Sequence, residues 1–143
     1  MDCIQAIDGI INDEVVMRTL TLKILPDKLS VCRLPADADP PRIEPAGNFF
    51  SMTRTADEWS MVVSSAHVQP AWEAEPGWRC LELVGTFDFS LTGIMSALAG
   101  PLATAGISIF PMATWSTDYL LVRDGDLDEA SLVLQRAGHH VTR

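Results

Sequence analysis

Hydrophobic positions follow two rhythms along this chain. Over 18–25 they alternate, with Leu20, Leu22 and Ile24 on one face, which is the period of a half-buried strand. Pro26, Asp27 and Lys28 make a turn, and 29–34 is a second short strand. Residues 35–45 hold four prolines and three acids and read as a loop. A hairpin over 49–54 and 59–64 follows, then a linker at 69–77 with Pro70, Pro76 and Gly77, then a strand over 79–84. The rhythm changes after Ser90, whose hydroxyl can cap a helix. Leu91, Ile94, Met95, Leu98 and Leu102 recur at helical spacing, and Gly106 suits the closing turn. Pro101 offers no N–H to the carbonyl of Ala97, so a kink or break is expected there. Strands follow at 107–112 and 119–122. Asp126 opens a second helix, with Glu129 at capping-box spacing. Leu127, Ala130, Leu134 and Ala137 form its buried face, Gly138 closes it, and 140–143 supplies a last strand. The order βαββαβ is the ferredoxin-like arrangement.

A shift of sixty lays the first half on the second without a gap. Phe50 falls on Phe110, Met52 on Met112, Glu58 on Asp118, Trp59 on Tyr119, Met61 on Leu121 and Val62 on Val122. Leu20 and Leu22 match Leu81 and Leu83 with a shift of sixty-one. The fold expected is α+β: two ferredoxin-like halves in tandem, the first degenerate with a short or missing first helix. The expected division is a first domain over 17–68, a linker at 69–77 and a second domain over 78–143. Residues 1–16, with Ile4, Ile7, Ile10 and Ile11, fit an amphipathic helix or a loose leader, and are expected to be poorly ordered.

With 143 residues, 48% hydrophobic and 20% charged, the chain has enough apolar material for a packed core. A formal net charge of −9 with ten scattered basic residues argues against a nucleic-acid partner. No apolar run is long enough to span a bilayer and no signal peptide stands out, so no membrane partner and a cytoplasmic location are expected. Cys3, Cys32 and Cys80 are odd in number and far apart, which fits a reducing compartment. No nucleophile elbow, Walker loop or zinc-protease motif is present, and no cofactor or metal is implied. His139 and His140 are adjacent, point apart on a strand, and read as an ordinary exposed pair.

Three stretches carry a resemblance: FSMTRTADEWSMVV at 50–63, VGTFDFSLTGI at 84–94 and STDYLLV at 116–122. Together they resemble the small bacterial tandem ACT-domain proteins, which are similar to the animal cytosolic arginine sensors called CASTOR proteins. The resemblance covers about residues 17–143. It implies two ACT domains that bind a small ligand, usually an amino acid, at an interface between domains. It also implies site residues. Thr92, Gly93 and Ile94 match the ligand loop, and Trp115 and Asp118 match the opposite wall. Ser60 and Met61 match the backbone segment that grips the amino-acid head group. Where the sensors carry an acid in the ligand loop this chain has Leu91, with Asp88 offset by three residues. A smaller or neutral amino acid therefore fits as well as arginine.

The residues allow that chemistry. Amides at a helix start are unpaired, and Gly93 lets a ligand approach the backbone. Asp118 follows a strand–strand turn near that start, so a carboxylate there can take an ammonium group. The reading is a non-enzymatic amino-acid sensor, with a homodimer and an unidentified protein partner expected; the alternative is an interaction module with a vestigial pocket. An enzyme using Asp88 and Asp118 is the weakest reading, because no second catalytic partner can be placed.

Overall fold

The computed structural model describes residues 19–42, 47–87 and 92–143. The expectations for 1–16, the cap at Ser90 and the acid at Asp88 lie outside the described residues. Eight strands form one sheet: β1 (Thr21–Ile24), β2 (Leu29–Pro35), β3 (Ser51–Arg54), β4 (Glu58–Ser64), β5 (Glu73–Leu83), β6 (Ile109–Ala113), β7 (Asp118–Arg123) and β8 (His140–Thr142). Among the described residues two helices cover part of it: α1 (Ile94–Thr104) and α2 (Leu127–Arg136). The fold is α+β, as the periodicities require.

β5 belongs to both halves. Its beginning pairs with β2, and its end pairs with β1 on one side and β7 on the other. The second half is ordered β8-β1-β5-β7-β6, so the amino-terminal strand lies between the last strand of the ferredoxin-like unit and its first. Leu22 sits opposite Leu83 in one ladder and Val141 in the other. The expected linker thus contains the start of an eleven-residue strand. Pro76 and Gly77 disguise it locally, and the β2–β5 register shifts beside them.

Three apolar clusters define the layers. Leu22, Leu81, Leu83, Leu98, Leu120 and Leu134 lie in the core between the second half and its helices. Leu29, Phe49, Val62, Trp78, Cys80 and Leu121 form a seam where the two halves meet. Cys32, Leu34, Met61, Val63 and Trp72 form a third cluster in the first half. No described helix covers that last cluster; Trp72, Val68 and Ala38 from the connecting segments pack there instead.

The register corrects the internal repeat. Ser51 pairs with Val62, and Phe110 pairs with Leu121. Val62 and Leu121 both face the seam, so their offset is 59. A shift of sixty places Met61 on Leu121, yet these two face different clusters. One residue of slip turns every side chain to the other face, which is why the ungapped match misleads. For the leading strands the offset is 49: Val31 pairs with Val62 as Cys80 pairs with Leu121. Leu20 and Leu22 are therefore not the mates of Leu81 and Leu83. Under that offset Leu29 maps onto Trp78, which is also its partner across the β2–β5 ladder. A local twofold axis passes between them. The two offsets differ by ten residues, close to the length of the eleven-residue α1, which has no counterpart among the described residues of the first half.

Both helices depart from the expected starts. α1 begins at Ile94 with Gly93 as its cap, not just after Ser90. α2 is preceded by a short 3-10 turn, Asp124–Asp126, which leaves Asp126 already in helical conformation. An N-cap side chain works from a non-helical backbone, so no capping bond from Asp126 forms.

α1 continues through Pro101 to Thr104 without a break. The carbonyl of Ala97, which Pro101 cannot serve, meets Nε2 of His139 at 3.3 Å. The Leu20 N–H donates to Nδ1 of the same ring at 3.2 Å, so Nε2 carries the proton. His139 is 7% exposed and lies inside the fold, which corrects the expectation of an exposed histidine pair; His140 is exposed. The reason is Gly138, whose φ of 99° turns the chain back over the end of α2 and directs His139 inward.

Burial, and after it the negative charge of Glu82, pushes the Cys80 thiol up to about 12 from an ordinary 9.0. An unfolded chain ionises this thiol near its ordinary value while the native state keeps the proton. The stabilisation is therefore complete below pH 9 and is lost as pH rises toward 12. The expected slope is up to about 1.4 kcal/mol per pH unit in that window. Urea unfolding at stepped alkaline pH should show a steeper loss for the native protein than for Cys80→Ala; equal slopes would contradict the assignment.

Candidate functional site

The end of the sheet where β5 stops and β7 begins gathers most of the expected site. Val84 N–H reaches the Thr21 carbonyl, and Phe87 N–H donates to the Ser116 carbonyl at 3.0 Å. Thr114 N–H and Oγ1 both donate to the Thr117 carbonyl, at 2.9 and 3.1 Å. The buried Thr117 hydroxyl donates to the Leu83 carbonyl at 2.7 Å. The β6–β7 turn is thus braced internally and bolted to the end of β5. Sequence reasoning missed Thr117; its only signal is a threonine at the close of a turn.

That turn carries Trp115, 81% exposed, and leads into Asp118, the partly exposed first residue of β7. Asp118 pairs with Ala113 and has the same strand parity as Leu120 and Val122, which face the helices. Its carboxylate makes no ion pair among the described residues. At the same end, Gly93 opens α1 with φ 78°, a left-handed backbone that a side chain would strain. Among the described residues no side chain caps this start, so its first-turn amides form the positive end of the helix. Thr92 is exposed beside it. Ile94, 9% exposed, belongs to the core, so its amide rather than its side chain is what a ligand can meet.

Ser60 and Met61 lie elsewhere. Both are in β4 with β2 and β3 on either side, so their main chain faces neighbouring strands. Met61 is 1% exposed and faces the first-half cluster. Ser60 lines a groove of about 290 Å³ between β3–β4 and β6, with Ser51 and Thr53 beside it and Phe110 and Met112 opposite. Within one chain, Ser60 and Asp118 therefore stand on different faces of the second-half strands. Deeper in the seam, Tyr119 pairs with Glu82 and packs at a tilt of 55° against Phe49, with ring centroids 4.9 Å apart. Burial, then the charge of Glu82 and a hydrogen bond to it, raises the Tyr119 phenol above its ordinary value. Among the described residues no group of three or more His, Cys, Asp or Glu could hold a metal, and no helix is long and apolar enough to cross a membrane.

Two ferredoxin-like halves sharing one sheet, with a glycine-opened helix beside a braced strand turn, define a small α+β module. A family model for the ACT domain matches residues 73–136. That segment belongs to the ACT-domain family. It is 33% identical over 95 residues to the putative protein CASTOR3P of Homo sapiens, a match covering 55% of this chain and 56% of that one. The chain thus spans just over half the length of this relative. A crystal structure of protein Atu0741 from Agrobacterium tumefaciens is 38% identical, with a TM-score of 0.81, covering 87% of this chain and 92% of that chain. The ligand-free regulatory subunit of aspartate kinase from Thermus thermophilus shares the fold, with a TM-score of 0.60 at 12% identity over 85% of this chain and 99% of that chain.

Proposed function

We propose that this chain is a non-enzymatic regulatory protein of the cytoplasm that binds an amino acid at an interface between ACT domains. The observation that carries the reading is the placement of the uncapped α1 start at Gly93 and the Asp118 carboxylate at one end of β5. Free amides at a helix start suit the ligand's carboxylate, and Asp118 suits its ammonium group. Thr92 and the Ile94 amide flank the first contact, and Trp115 forms the outer wall; Asp88 is the acid assigned to the loop between. Ser60 lies on the other face, so its contribution comes from a second copy; Met61 is buried in the first-half cluster and takes no direct part. In this reading two copies of the chain, each carrying the units at 17–68 and 78–143, assemble as a homodimer. Ligand bridging ACT units favours one arrangement, which a partner protein reads.

A thermal-shift screen of the twenty amino acids on wild type and Asp118→Ala tests this. One amino acid at several hundred times its dissociation constant should add roughly 3–4 kcal/mol, or several degrees. The gain should vanish in Asp118→Ala. A flat screen, or an equal shift in the variant, sinks the reading. It would favour the interaction module, for which the exposed Trp115 is the supporting observation.

A further inference from the structure

We propose that the groove between β3–β4 and β6 is a second small-molecule site, and that it takes an uncharged heteroaromatic ring. The groove measures about 290 Å³. That is at the small end of the range for ligand pockets, room for a ring and not for a nucleotide.

Its two walls differ in chemistry. From the first half come the hydroxyls of Ser51, Thr53 and Ser60, and from the second come Phe110 and Met112. The offset of 59 makes Ser51 the counterpart of Phe110, and Thr53 the counterpart of Met112. Two apolar walls would close against each other as they do deeper in the seam, where Val62 and Leu121 meet in one cluster. Hydroxyls in place of large side chains leave the space open and line it with donors and acceptors. None of the three hydroxyls bonds to a described residue.

The lining contains no ionisable side chain. The charged residues beside Ser60, Arg33 and Glu58, satisfy each other at 3.1 Å. A charged or zwitterionic ligand would lose water there and gain no partner, so the occupant is neutral. Phe110 and the Met112 thioether favour an aromatic face. The hydroxyls suit ring nitrogens and oxygens along one edge. The site is distinct from the Gly93–Asp118 end, which lies on the helix side of the same strands.

Methionine-methyl NMR reads this directly, with adenine, uracil and indole as probes. At least one probe should move the Met112 methyl saturably. The Met61 methyl, buried in another cluster, and that of Met95 on α1 should stay still. Thr53→Phe fills the groove and should abolish the response. Thr53→Val keeps the shape, removes one hydroxyl and should weaken binding about five-fold. No movement of Met112 with any probe at millimolar concentration overturns the proposal. So does a response that both Thr53 variants leave unchanged.

Discussion

Trp78→Ala should lower stability by about 3–5 kcal/mol, the range for removing a large buried aromatic side chain. The reason is position as much as size. Trp78 lies at the local twofold axis, paired with Leu29 in one ladder and Arg123 in the other. It is 7% exposed, packs edge-on to Phe110 with centroids 6.2 Å apart, and carries the Arg123 guanidinium 4.0 Å from its ring centroid. Truncation opens the seam in both halves at once. Its indole N–H has no partner among the described residues, so Trp78→Phe removes an orphan donor while keeping a ring in place. That variant should cost clearly less than the alanine. Urea denaturation of the pair checks both, and a single transition should persist in each, because β5 ties the halves together. A loss below about 1 kcal/mol for Trp78→Ala would mean that the seam is not a core.

His139→Leu should cost about 2–6 kcal/mol, because it strands two main-chain groups, the buried Leu20 N–H and the part-buried Ala97 carbonyl, at about 1–3 kcal/mol each. Pro101 makes the effect testable beyond simple packing. Pro101→Ala restores an N–H at the position that bonds Ala97 in an uninterrupted helix. In the His139→Leu background it should recover roughly 1 kcal/mol, the worth of one hydrogen bond. A double-mutant cycle measures that coupling. Strict additivity of the two changes would show that His139 and Pro101 do not share the Ala97 carbonyl.

The second half was largely readable because its signals are local. Leu98 and Leu102 repeat at helical spacing, and Leu127, Ala130 and Leu134 do the same on α2. The features that escaped are set by tertiary contacts. The start of β5 reads as a linker because Glu73, Glu75, Pro76 and Gly77 look like one, and only pairing with β2 makes it a strand. The repeat was visible, but its register was not, since Met61 and Val62 are equally apolar and only packing shows which one faces the seam. His139 is polar and near the end of the chain, and nothing local says that a proline thirty-eight residues earlier leaves it a carbonyl to serve.

The candidate site divides in the same way. Gly93 and Asp118 were legible from motif and helix-start chemistry, and they lie at one end of the sheet. Ser60 was legible as a strand residue, but its face depends on a one-residue register that alternation alone left open. Thr117, which clamps the turn to β5, stands out only once its hydroxyl is seen on the Leu83 carbonyl.

The most direct measurement is an amide NMR titration of the full chain with each of the twenty amino acids. One of them should move the amides of Gly93 and Ile94 together with those of the 114–118 turn, saturably and with one dissociation constant. Silence at both segments for every amino acid would contradict the ligand-binding role of this end of the sheet.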